Sequence, residues 1–433
     1  MVSVLISRNI STLFKRVENI IVEKRAQVER LRPFTGYNVS EITVGQLIDG
    51  QKGVRSLICE TSKVEGTGIR FRGLSLKEVL EKVPGKHKIP SAESVLWLLL
   101  TGEVPNYDEF EEVRLYLEQN SGLTEDTQRL IIELPKDIHP MTQFSIAVNS
   151  MTPLSKYSKD YFTTPKEDRW KLMLEDSLML LAKIPRVAAL IYRSTFRDGK
   201  LGNVLQGDLA ENYSRMLGWK DESFFEAIRL FLLIHSDHEG GNVSTHASRL
   251  VGSAGSNVFE AYAAGLNGLA GPIHGMGMQN CIMWLVSVWR TLGDNIDENT
   301  VEVYLKGYLE ENTKIPGFGH PVLKSTDERF LAQLLFAQTT LKPTPLFTLI
   351  SVLHQVVPSV LKDLKRPPQY PNMYLHSAAI LFYHNLRMYE YYCVLFGLSR
   401  SLGIVSNLVW DVALTLPQES LSSQTLEDLE ALN

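Results

Sequence analysis

Apolar residues recur at three- and four-residue spacing through most of this chain, and almost nowhere at the two-residue spacing of a strand. The helical period runs through Ser75–Val83, Ala92–Leu100, Asp108–Gln119, Trp170–Ser194, Ser223–His235, Val258–Leu266, Gln279–Thr291, Asn299–Glu310, Pro345–Leu364 and His376–Leu398. A chain patterned in this way buries its apolar stripes helix against helix. Ser75, with Glu78 three residues on, has the form of a capping box. Strand signals are confined to Gly53–Glu60 and Gly68–Arg72, which predict one small antiparallel ribbon. Neither a solenoid repeat nor a low-complexity linker interrupts the pattern. Breaks at Gly271–Gly277 and Arg366–Asn372 set off a compact insert, and 433 residues suffice for two domains with a ligand cleft between them.

A chain that is 44% apolar and 21% charged, with a net charge of −5, has the balance of a soluble globular protein and no electrostatic footprint for nucleic acid. Its longest apolar runs, such as Leu96–Leu100, are too short to span a bilayer, which predicts no transmembrane segment. Cys59, Cys281 and Cys393 are odd in number and widely spaced, as expected of buried thiols in a reducing compartment. Met1–Arg16 carries Arg8, Lys15 and Arg16, serines at 3, 7 and 11, and no acid before Glu18. That is the composition of a short mitochondrial transit segment; an amphipathic first helix packing on a partner is the competing reading.

Five of the ten histidines lie in or beside three glycine-rich segments: HSDHEGGN at 235–242 with His246 just beyond, GPIHG at 271–275, and PGFGHPV at 316–322. Glycine and proline break helices, so these imidazoles stand on loops where side chains converge on a ligand. His235 and His238 are spaced i, i+3 beside Asp237 and Glu239, but the segment does not form HExxH, which weighs against metal. The remaining reading is an anion or carbonyl site with His238 and Asn242 as donors. A helix start near Gly275–Gln279 would hold His274 neutral and able to donate to an oxyanion. Gly317 and Gly319 allow close backbone approach to a ligand, and Arg329 suits bidentate carboxylate binding.

Taken together, IHSDHEGGNVSTHASRLVGSAGSN, NGLAGPIHG and KIPGFGHPVLKSTDERF resemble the citrate synthase family of the eukaryotic mitochondrial type. ETSKVEGTGIRFRG, HPMTQFS and GLSRSLGIVSNLVW extend the likeness over nearly the whole chain. The resemblance implies an all-α homodimer that closes a large and a small helical domain over its substrates. It condenses acetyl-CoA with oxaloacetate, releases citrate and CoA, and needs no metal or bound redox cofactor. The implied division is a targeting segment at 1–16, a large domain at 17–274 and 379–433, and a small domain at 275–378. His274 matches the residue that stabilises the acetyl-CoA enol, and His320 the one that polarises the oxaloacetate carbonyl. His238, Arg329 and Arg400 match oxaloacetate ligands. Pro316, Gly317, Phe318 and Gly319 match the segment along CoA, and Lys52, Lys166, Lys324 and Arg366 fall near positions facing CoA phosphates.

The chain also departs from that pattern. The family's general base is an aspartate in a segment of the form PNVDAHSG; here Pro371–Ala378 reads PNMYLHSA, and Tyr374 stands at the aspartate position. Between Lys365 and Arg387 there is neither Asp nor Glu. An arginine donated across the family's dimer interface is replaced by Ser420, which leaves Glu419 without that neighbour. Glu328 replaces the proline before Arg329, and Pro367 a lysine near the CoA phosphates. A positioned general base contributes roughly 10²–10⁴ in rate. The expectation is therefore a mitochondrial, matrix-side homologue that is catalytically impaired or inactive and serves as a structural or assembly subunit of a larger complex. The alternative is an active citrate synthase with a rearranged base.

Overall fold

The computed structural model of the chain describes residues 10–66, 68–202, 207–311, 314–320 and 322–431. Its centre is the Tyr392–Ala413 helix, in which every residue from Tyr392 to Trp410 is buried. A helix apolar on all sides has to be enclosed by others. Those others are Ala92–Thr101, Pro140–Ser150, Arg169–Phe196, Glu222–His235, Val243–Ser253 and Val258–Leu269. Ala92–Thr101 is itself wholly buried. Gly277–Leu292, Glu298–Glu311, Glu328–Thr340, Pro345–Asp363 and Tyr374–Tyr383 form a second group packed chiefly on one another. The second group meets the first through Gly277–Leu292 against the central helix, and through Glu328–Thr340 and Tyr374–Tyr383 against Glu222–His235. The all-α architecture follows the helical period of the sequence.

The ribbon consists of β1 (Ser62–Glu65), β2 (Gly68–Phe71) and β3 (Leu74–Ser75), all antiparallel, with Ser62 opposite Phe71 and Glu65 opposite Gly68. The strand expected at Gly53–Glu60 does not form. Among the described residues no strand pairs with that segment, and the Ile58 carbonyl accepts from Arg249 Nη2 instead. The single helix expected over His376–Leu398 is two, Tyr374–Tyr383 and Tyr392–Ala413. Asn385 turns the chain with φ +65°, and Leu386 in the turn is as buried as the helices it joins. Asn385 and Arg387 on either side of it are exposed, and the apolar spacing runs on through Leu386, so it does not register the turn. Helices such as Val243–Ser253 were hidden for the opposite reason: the buried face there is Ser244, Thr245 and Ser248, not an apolar stripe.

Residues 1–9 of the expected targeting segment lie outside the described residues. From Ser11 the chain is the helix Ser11–Leu31, which buries Leu13, Val17 and Ile21 against Ala92–Thr101 and Tyr107–Gln119. The 16/17 boundary falls inside this helix, and 378/379 inside Tyr374–Tyr383. Two segments, Pro345–Asp363 and Tyr389–Ala413, are long and apolar enough to cross a membrane, longer than the unbroken apolar runs suggest; in the second the whole apolar window is enclosed by the fold. Among the cysteines, Cys281 and Cys393 are buried and Cys59 is half-buried, and all three are free thiols.

Candidate active site

The three histidine segments converge where the two helix groups meet. The first begins as Glu222–His235 ends. Asn242 then caps Val243–Ser253, accepting from the Thr245 N–H, while its Nδ2 donates to the His238 carbonyl at 2.8 Å. Two carboxylates tie this loop to the ribbon: Asp237, fully buried, accepts from Thr61 Oγ1, and Glu239 from the Val64 N–H. A Cβ at Gly403 would lie 2.6 Å from Asp237 Cγ, so the central helix admits the loop only because it has glycine there.

The third segment is laced to the chain ahead of Tyr374. Gly317 and Gly319 have φ of +80° and +84°, a conformation that favours glycine. The Gly319 N–H donates to the Tyr370 carbonyl at 2.8 Å, the Asn372 N–H to Gly317 at 2.9 Å, and Asn372 Nδ2 to the Gly319 carbonyl at 3.0 Å. This lacing delivers His320 to His238, Nε2 to Nε2, at 3.1 Å. His320 Nδ1 accepts from the Val322 and Leu323 N–H groups, both at 3.1 Å. The network thus assigns the His320 proton to Nε2, directed at His238 and the cleft.

His274 stands on the Ser244 end of the next helix. Its Nε2 accepts from the Ser244 N–H at 3.3 Å and lies 3.1 Å from the Ser244 hydroxyl, which leaves Nδ1 to carry a proton. Burial, then the charge of Arg400, pushes its pKa down to about 4. The helix start expected near Gly275–Gln279 falls at Gly277, three residues beyond His274. His320 is pushed down to about 4 by burial and then Arg329, and His238 lies well below the usual range for burial and both arginines. All three imidazoles are neutral at pH 7 and able to donate without carrying charge.

Arg329 and Arg400 supply the charge, both almost completely buried. Arg329 pairs with Asp327, Nε to Oδ1 at 2.9 Å and Nη2 to Oδ2 at 2.8 Å. Its Nη1 is buried with no partner among the described residues, an orphan donor that calls for an acceptor. Arg400 Nε donates to the His235 carbonyl at 2.9 Å, and burial pushes the guanidinium down to about 10 against the pull of Asp237. Chemically, buried guanidiniums suit carboxylates, and neutral N–H donors suit an oxygen on which negative charge develops.

Tyr374 completes the picture. Asn372 Oδ1 accepts from its N–H at 3.0 Å and starts the Tyr374–Tyr383 helix. Its ring lies on Gly277, where a Cβ would come within 2.7 Å of Cε2, and edge-on to Phe396 at 6.2 Å between centroids. The side chain is therefore turned toward the segment that carries His274. Burial raises the phenol's pKa, with Arg400 and Arg329 opposing.

Other expected residues lie apart. Lys52 and Ser420 are exposed, and Lys324 is exposed although its N–H donates to the Gly66 carbonyl at 3.2 Å. Lys166 lines a groove with Arg169, Arg249 and Glu419. Arg366 donates to the Leu309 carbonyl at 2.5 Å, and Pro316 with Phe318 belongs to the laced loop. With serine at 420, the Glu419 carboxylate is met by His246 Nε2 at 3.0 Å. The polar support beneath the loop, Thr61, Asp237 and Asn407, carries no sequence signal beyond the place of Asp237 in HSDHEGGN, which reads equally as a metal ligand. Among the described residues, the histidine–carboxylate group spaced for a metal is His87, Glu222 and Glu226, at the other end of the Glu222–His235 helix.

The fold is all-helical, with three neutral imidazoles and two buried guanidiniums gathered where its two helix groups meet. Residues 50–416 match the profile of the citrate synthase family (citrate synthase, C-terminal domain), and the chain belongs to that family. It is 40% identical over 93% of its length to a probable mitochondrial citrate synthase of Glossina morsitans morsitans, covering 89% of that protein. It is 40% identical over 97% of its length to mitochondrial citrate synthase 4 of Arabidopsis thaliana, covering 90% of it. With the peroxisomal enzyme of Saccharomyces cerevisiae it shares 41% identity over 91% of the chain and 87% of the relative. The fold matches the crystal structure of citrate synthase from Pyrobaculum aerophilum with a TM-score of 0.75 at 23% identity, covering 90% of this chain and 95% of that one.

Proposed function

We propose that this chain is a mitochondrial, matrix-side citrate synthase homologue that binds an oxo-dicarboxylate but turns it over poorly or not at all, and that serves as a structural or assembly subunit. The observation that carries this reading is the Tyr374 ring on Gly277, at the head of its helix. A phenol with an ordinary pKa of about 10 is ionised to about one part in a thousand at pH 7, and burial pushes this one higher. On the family resemblance, Tyr374 takes the place of the general base, and Ser420 that of an arginine lent across a homodimer. His274 and His320 would then polarise the two carbonyls, while His238, Arg329 and Arg400 hold oxaloacetate. Closure of residues 275–378 onto the remainder would complete the pocket, with the Pro316–Gly319 loop and Lys52, Lys166, Lys324 and Arg366 toward CoA. Acetyl-CoA and CoA are the substrate and product of the residual reaction, with no bound cofactor.

A second reading, an active citrate synthase with a rearranged base, is favoured by the retained His238, His274, His320, Arg329 and Arg400. The Asp327 carboxylate raises the Tyr374 pKa further, and both its oxygens are held by Arg329. Thiol release from acetyl-CoA with oxaloacetate separates the two. Absence of turnover, together with calorimetric binding of oxaloacetate, supports the first reading; turnover of about 1–10³ s⁻¹, the ordinary range for enzymes, overturns it.

A further inference from the structure

Away from the histidine loops, a cavity of about 40 Å³ opens between the Tyr107–Gln119, Arg169–Phe196 and Leu209–Leu217 helices. Pro185, which cannot donate to the carbonyl one turn back, sits inside the long helix at the cavity wall. Two polar groups face this space without partners. Arg186 Nε is buried and bonded to no acceptor, and its guanidinium has no carboxylate partner among the described residues. Glu93 is 1% exposed; its Oε1 accepts from the Leu209 N–H at 2.7 Å, and its Oε2 is buried without a partner.

The protonation of Glu93 decides what is missing. Burial and then the neighbouring Asp208 push its pKa up to about 8, with Arg114 opposing, so the group is mostly the acid at pH 7. Because Oε1 accepts from Leu209, the proton belongs on Oε2. The cavity thus holds two donors, Oε2–H and Nε–H, and neither meets an acceptor. The carboxylates around it are paired: Glu118, in the lining, and Glu111 with Arg114, and Asp208 with Arg229. Among the described residues Lys183 bonds to the Asn120 and Gly122 carbonyls. An unpaired, half-buried guanidinium attracts a counter-ion, and a space of this size admits about three water-sized atoms.

We propose that this cavity is a binding site for a small monoanion, a carboxylate such as formate or a halide, held by Arg186 Nε–H and the Glu93 acid. Binding is coupled to the proton on Glu93, so affinity falls about tenfold per pH unit once the carboxyl ionises. The test is titration of the full chain with sodium formate and with sodium bromide, read by calorimetry at pH 7 and pH 9.5. Crystals soaked in bromide locate the ion. Expected are saturable binding at pH 7, a weakening of more than tenfold at pH 9.5, and a comparable loss in Arg186→Gln. Glu93→Gln keeps Oε1 for Leu209 and presents a donor that cannot ionise, so it should bind at both pH values. A bromide peak beside Arg186 supports the assignment, and a response to one anion alone identifies the class. Water only in the cavity, or binding unchanged in Arg186→Gln, overturns it.

Discussion

Replacing Tyr374 by aspartate tests the reading of the site directly. The side chain heads its helix, its N–H already bonded to Asn372, so a carboxylate there needs no backbone change and meets two buried guanidiniums. At pH 7 an ordinary carboxylate is almost fully ionised, against about one phenol in a thousand. The population of the basic form therefore rises about 10³-fold, within the roughly 10²–10⁴ that a positioned base contributes. Loss of the half-buried ring is expected to destabilise the fold by about 1–3 kcal/mol, less than the 3–5 kcal/mol for truncating a fully buried aromatic. Thiol release from acetyl-CoA with oxaloacetate is the assay, with oxaloacetate binding measured alongside. The expected result is at least a hundredfold rise in kcat, with a further gain when Ser420→Arg is added. A folded variant that binds oxaloacetate and is no faster than the parent would refute the assignment of Tyr374 to the base position.

Arg329→Met leaves Asp327 buried and uncompensated, and should lower stability by about 3–5 kcal/mol in urea denaturation while abolishing oxaloacetate binding. Gly403→Ala drives a methyl into Asp237; a loss of about 1–3 kcal/mol and weaker dicarboxylate binding are expected, and unchanged values of both would argue against loop support. Stability should also fall with acid. His235 and His376 are depressed to about 3, and His274 and His320 to about 4, mainly by burial. Between pH 6.5 and those values the unfolded chain binds more protons, so stability is present above pH 6.5 and is lost on descent, by up to about 1.4 kcal/mol per unit for each histidine. A urea midpoint that stays flat from pH 7 to pH 4.5 would show that these rings are not buried neutral.

The helical period was legible because most helices here expose one face and bury the other, and that difference has a period. It failed where burial and apolar spacing part company. The turn at His384–Met388 keeps Leu386 buried and Met388 half-buried between exposed Asn385 and Arg387, so the apolar spacing runs on through it, and Val243–Ser253 buries hydroxyls where a stripe was sought. Glycine and proline around the histidines marked loops correctly, because backbone conformation at those residues is a local property. The strand misplaced at Gly53–Glu60 had suitable residues but no neighbour to pair with, and pairing is not local.

By itself the sequence determined the helical class, the family, and the residue types at the cleft, including the phenol at position 374. Only the tertiary structure decided which of them meet. His238 and His320 are 82 residues apart in the chain and 3.1 Å apart in space, held so by hydrogen bonds between the 317–319 and 370–372 segments. It also decided protonation. An imidazole in the sequence carries an ordinary pKa; those in the cleft are neutral because packing removes water and sets arginines beside them. The direction of Tyr374 belongs with these, since it depends on Gly277 leaving room for the ring, a contact between residues nearly a hundred positions apart in the chain.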